Sequence, residues 1–142
     1  MTPTLWGRIQ TRWFLLVIIG MPWTLVIGPL LVLVANGAGL GEVYVLAFTA
    51  LVVVGLVGTV WELIYHAFMQ LRWEKDWPAF LGLITGVNEF LTLVLVLALL
   101  GFSFSFAVVV QFVTLWLLMW VFANGPLRVL LPRWRYRGGN LR

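Results

Sequence analysis

Residues 79–100 read AFLGLITGVNEFLTLVLVLALL, an apolar run with a single ionisable side chain, Glu89. A helix needs roughly 20 apolar residues to cross a hydrocarbon layer of about 30 Å, and this run has that length. Three more segments of the same character surround it. They run over 13–35, 43–69 and 105–124, separated by the turn-rich residues 36–42, the polar loop 70–78 and the short turn 101–105. Asn124-Gly125-Pro126 breaks the last one, leaving a basic tail, 125–142. Backbone groups in lipid must be satisfied within their own segment, which favours helices; barrel strands would alternate over about ten residues, and no such alternation is present. The sequence therefore predicts an all-α membrane protein, one domain of four transmembrane helices in an up-down bundle.

Composition agrees. Hydrophobic residues make up 63% of the 142 and charged residues 10%, against about 25% charged in a soluble domain. A small fold buries only about two-thirds of its surface, so this much apolar area needs lipid rather than water. The chain has no cysteine, which excludes disulfides, thiolate metal sites and thiol nucleophiles. The one histidine, His66, excludes bis-histidine haem within a single chain. The first apolar run exceeds the 7–15 residues of a signal-peptide core and is read as an uncleaved span.

The nine basic residues set a predicted orientation. Arg8 and Arg12 precede the first span, Arg72 and Lys75 lie between the second and third, and Arg128, Arg133, Arg135, Arg137 and Arg142 follow the fourth. The other two loops carry none, so both termini and the middle loop are expected in the cytoplasm, with the protein in the plasma (inner) membrane. Arg12-Trp13, Arg72-Trp73 and Arg133-Trp134 recur at this boundary, and together with Arg135 and Arg137 they read as anchors in anionic lipid headgroups. The tail adjoins a membrane that already offers phosphates, so lipid is expected there and nucleic acid is not.

Polar residues inside the spans are the candidate site, since their burial is costly. Glu89 lies near mid-span beside Asn88, with no basic residue close in sequence. A lone carboxyl there is expected to be protonated and to serve as interhelical polar glue, so Glu89→Gln should be tolerated; the competing role is proton or cation coupling. Thr85, Glu89 and Thr92 recur with Gly82 and Gly86 on one face, and Gly55, Gly58, Thr59, Glu62 and His66 form a similar stripe on the second span. The simplest packing sets these stripes face to face. Glu62 and His66, one turn apart, are expected to form an ion pair or hydrogen bond that seats the helix end; the competing role is a pH-responsive pair. Gln111 and Thr114 on the fourth span are expected at the depth of Thr92 or Glu89. Pro22 and Pro29 each free an upstream carbonyl, at Ile18 and Leu25, and read as kinks.

Glu62, His66 and Glu89 make a poor metal set, with one imidazole and unequal depths, so no metal or other cofactor is expected. No nucleophile elbow, phosphate-binding loop or H-E-x-x-H occurs, and the chain is not read as an enzyme. The favoured function is a non-catalytic accessory, assembly or scaffold subunit, with other membrane subunits or self-association as partners. The alternative is a small dimeric transporter or channel that uses Glu89.

Overall fold

The computed structural model describes residues 4–71 and 80–131. Within them the chain is 88% helix with no strand, and four helices are long and apolar enough to cross a membrane. The first span is composite: α1 (Leu5–Leu15), one wide π turn at Leu16–Gly20, α2 (Met21–Leu31) and a short 3-10 turn at Val32–Val34. It is followed by α3 (Leu40–Leu71), α4 (Leu81–Leu99), α5 (Phe106–Asn124) and the short α6 (Pro126–Leu130).

The first helix begins eight residues before the expected 13. Thr4 sets that start, its hydroxyl accepting from Gly7 N at 3.1 Å. Arg8 and Arg12 therefore lie inside the helix and not ahead of it. The interruption at Leu16–Gly20 precedes Pro22, which has no N–H to give back to Ile18. Pro29 acts differently. The carbonyl it frees, Leu25 O, accepts from the Tyr44 hydroxyl at 2.9 Å, and Gly28 leaves the space that the Tyr44 ring fills. Asn36 and Gly37 turn the chain with positive φ, at 54° and 84°. Ser105 then caps α5 through Ala107 N.

Contacts between neighbouring spans run in opposite residue order. The first span meets α3 through Gly28 with Tyr44, Gly20 with Leu51 and Gly55 with Trp13. α4 meets α5 through Phe90 with Phe112, Gly86 with Trp116 and Gly82 with Trp120. Leu15, Leu51, Leu93, Phe112 and Leu115 belong to the main core, and Ile27, Leu31, Ala47 and Ala107 to a second cluster. Residues such as Val26, Leu33, Leu56 and Leu95 face outward, as a lipid solvent requires.

Tryptophan recurs at these seams. Trp13, Trp61 and Trp23 each donate an indole N–H to a threonine of another span, Thr59, Thr92 and Thr114, each at 3.1 Å. Each threonine hydroxyl in turn donates to the carbonyl four residues back, at Gly55, Asn88 and Val110. Every donor in these clasps is matched inside the protein, which a bundle in hydrocarbon needs.

The glycine stripes do not face each other. Gly55 and Gly58 receive Trp13 and Arg12 from the first span, whereas Gly82 and Gly86 receive Trp120 and Trp116 from α5. Large side chains fill the small-residue faces, so the α3–α4 seam is built from Trp61, Tyr65 and Thr92 instead.

Candidate functional site

Four ionisable side chains from three helices converge. Arg12 of α1 grips Glu89 of α4 with both ends of its guanidinium, Nη1 to Oε2 at 2.7 Å and Nη2 to Oε1 at 2.8 Å. Nη2 also donates to Glu62 Oε1 of α3 at 3.0 Å, and Arg8 Nε donates to Glu62 Oε2 at 2.5 Å. Two positive and two negative charges thus cancel within one chain of bonds. Glu89 is 1% exposed, Arg12 7% and Arg8 8%. Glu89 sits at the middle of α4 and forms the network's deepest member.

The sequence makes this arrangement possible locally. Arg8 and Arg12 are one turn apart, so they share a face of α1. Gly58 leaves room for Arg12: a Cβ there would collide with its Nη1 and lie 2.9 Å from Glu89 Oε2. The Trp116 ring covers the guanidinium, its centroid 5.7 Å from Cζ, and reaches that place because Gly86 lacks a side chain. A planar fork matched to a carboxylate is the arrangement in which guanidinium recognition is strongest, and it requires an ionised acceptor.

Several expectations are corrected here. Arg12 is not a headgroup anchor, because its Nη1 and Nη2 groups are bound to Glu89 and Glu62 inside the bundle. Trp13 gives its N–H to Thr59 and not to a headgroup. Glu89 is not a lone carboxyl. Glu62 turns to the two arginines instead of His66, whose Nε2 lies 3.3 Å from Gln70. Gln111 is buried away from Glu89 and Thr92; its amide donates to Ala47 O at 2.9 Å and Thr24 Oγ1 at 3.3 Å. Thr114 meets Trp23. Thr85 closes on Gly82 O, Thr92 bridges Trp61 to Asn88 O, and the Asn88 side chain faces outward. The expected anchors Arg72, Trp73, Arg133, Trp134, Arg135 and Arg137 lie outside the described residues.

Sequence reasoning missed Arg8 and Arg12 as members of the site. A signal was present: two carboxyls inside spans and two arginines one turn apart beside a span make a neutral set. Among the described residues no three His, Asp or Glu side chains come together in a way that would hold a metal ion. A cavity about the size of one water molecule lies among Leu51, Val54, Leu93 and Leu115, with Gln111 its polar neighbour. The network is a closed electrostatic clamp. Both of its carboxylates accept from guanidinium groups that stay charged.

Comparison of the chain with protein-family models, curated proteins and solved structures gives no match.

Proposed function

We propose that this chain is a non-catalytic accessory, assembly or scaffold subunit of a larger membrane complex. One observation carries the reading: the intramembrane carboxyl best placed for transport, Glu89, is 1% exposed and held by both ends of Arg12. A coupling carboxyl must meet water or an ion during its cycle, whereas a clamp between three helices needs to stay shut. The competing reading, a small dimeric transporter or channel working through Glu89, requires that bridge to open.

The arrangement we infer is an up-down bundle in the cell membrane with both termini cytoplasmic. The opposite residue order of the inter-span contacts supports the first part. The orientation rests on basic residues outside the clamp: nine minus Arg8 and Arg12 leaves seven, all in the middle loop or after α5. Lipid headgroups are the partner proposed for the tail.

Two measurements on the purified chain test the function together. Purification from native membranes in mild detergent should retain other membrane subunits at fixed stoichiometry. In proteoliposomes, a pH gradient should drive no flux that depends on Glu89. A pH-driven flux abolished by Glu89→Gln, with the variant still folded, would replace the assembly reading with the transporter.

A further inference from the structure

Asn88 occupies an unusual place. Among the described residues, it is the exposed polar side chain in the interior of a span; the other exposed polar residues, such as Glu42 and Gln70, sit at helix ends. One side of its amide meets the Tyr65 hydroxyl. An amide carries two N–H donors and a carbonyl acceptor, so most of its bonding capacity still faces outward, at the depth of the hydrocarbon centre. Lipid tails offer nothing to match it.

The residues around Asn88 say what does. Ile84, Asn88, Leu91 and Leu95 follow the four-three-four spacing of a helix–helix seam, and all four are exposed. At about 100° per residue this line falls on the side of α4 opposite Gly86, Glu89, Leu93 and Leu97, which face the core. Outward aliphatic lines occur on every span, because lipid demands them. The line on α4 differs in containing an amide, and a single polar residue in an apolar seam fixes register and partner number.

We infer that α4 is the interface with a second copy of this chain, centred on Asn88. An amide is self-complementary: the N–H of each can donate to the carbonyl of the other across a two-fold axis. Two copies inserted with the same orientation carry Asn88 at the same depth, so the pair meets without adjustment, whereas an unrelated helix would need a polar group at that one height. The crossing is left-handed at about 20°, as the seam spacing dictates. This depends on the membrane placement of the chain and is independent of the accessory-subunit role.

The chain contains no cysteine, so single-cysteine variants need no prior engineering. Ile84→Cys, Leu91→Cys and Leu95→Cys, each retaining Asn88, should cross-link to dimers in liposomes under mild oxidation. Val52→Cys and Leu117→Cys, exposed on α3 and α5, should not. In fluorescence transfer between labelled copies diluted with lipid, Asn88→Leu should weaken dimerisation roughly three- to tenfold, the range of one or two intramembrane hydrogen bonds. Cross-linking strongest at Val52 or Leu117, or unchanged association in Asn88→Leu, would overturn the inference. So would a purified chain that stays monomeric while its Leu91→Cys variant cross-links to a different protein in native membranes.

Discussion

Arg12 and Glu89 face each other in the buried interior of the bundle, and both leave solvent only because the other is there. The idealised attraction between two such charges is large in a low-dielectric interior, and so is the penalty for each one alone. Removing one partner from a buried pair costs about 3–5 kcal/mol, because an uncompensated charge remains. Glu89→Gln leaves Arg8, Arg12 and Glu62, a buried excess of one positive charge. We therefore expect Glu89→Gln and Arg12→Gln each to lower stability by about 3 kcal/mol or more. The double variant keeps Arg8 with Glu62 in balance, and its loss should be smaller than the sum of the two single losses. Reversible unfolding in detergent micelles, followed by tryptophan fluorescence, measures all three. A Glu89→Gln protein as stable as the parent would mean that Glu89 is neutral and the bridge absent. The sequence alone supports that opposite outcome, since it shows Glu89 with no cation nearby. Arg12 lies 77 positions away and wears the Arg-Trp signature of a membrane boundary. Only the helix start at Thr4, which draws Arg12 into the span, exposes the pairing.

At the scale of elements, the composite first span shows how a helix crosses lipid with two prolines in it. A carbonyl orphaned by proline cannot turn to water, so another donor must come to it. For Leu25 that donor is Tyr44. Tyr44→Phe should cost about 0.6 kcal/mol and at most about 1.7, the average and the maximum for intramembrane hydrogen bonds. In a Pro29→Ala background the helix regains the N–H that serves Leu25 O, and the same Tyr44→Phe change should then cost close to nothing. A double-mutant cycle by unfolding decides the point; equal costs in both backgrounds would remove the compensation argument. The carbonyl freed at Leu25 was legible from Pro29, and the four apolar runs were legible from length and composition. The pairing of faces was not. Glycine at 55, 58, 82 and 86 marks positions where something large approaches, but it does not name what approaches. Arg12, Trp13, Trp116 and Trp120 come from the first and last spans, far off in sequence. The partners of Gln111 were missed for the same reason, since its place in the sequence reveals its depth but not Thr24 or Ala47 O.

For the whole molecule, the proposed orientation gives charge two separate duties. Inside the bundle, Arg8, Arg12, Glu62 and Glu89 sum to zero and cross-brace three helices. In the sequence, Arg72 and Lys75 of the middle loop and the five basic residues from Arg128 onward all fall on one predicted side. Orientation follows the basic residues of short flanking loops, and acidic residues contribute little to it. The two duties therefore separate by mutation. Reporter fusions after Gln70 and after Arg142 should report cytoplasm, and one at Gly39 should report the exterior. Converting Arg8, Arg12, Glu62 and Glu89 together to Gln should weaken packing yet leave all three reports unchanged, because the seven outer charges remain. Moving positive charge across the membrane should act the other way. Gly39 and Gly41 have open space where a side chain would go, so lysine at both is sterically permitted. Combined with Arg72→Gln and Lys75→Gln, those lysines place charge in the outer loop and remove it from the middle one. The Gly39 and Gln70 reporters should then give mixed or exchanged signals while the Arg142 report changes less, since the tail keeps its five arginines. If the fourfold Gln variant inverted instead, the clamp residues would themselves be setting the orientation, and the division of duties would be wrong.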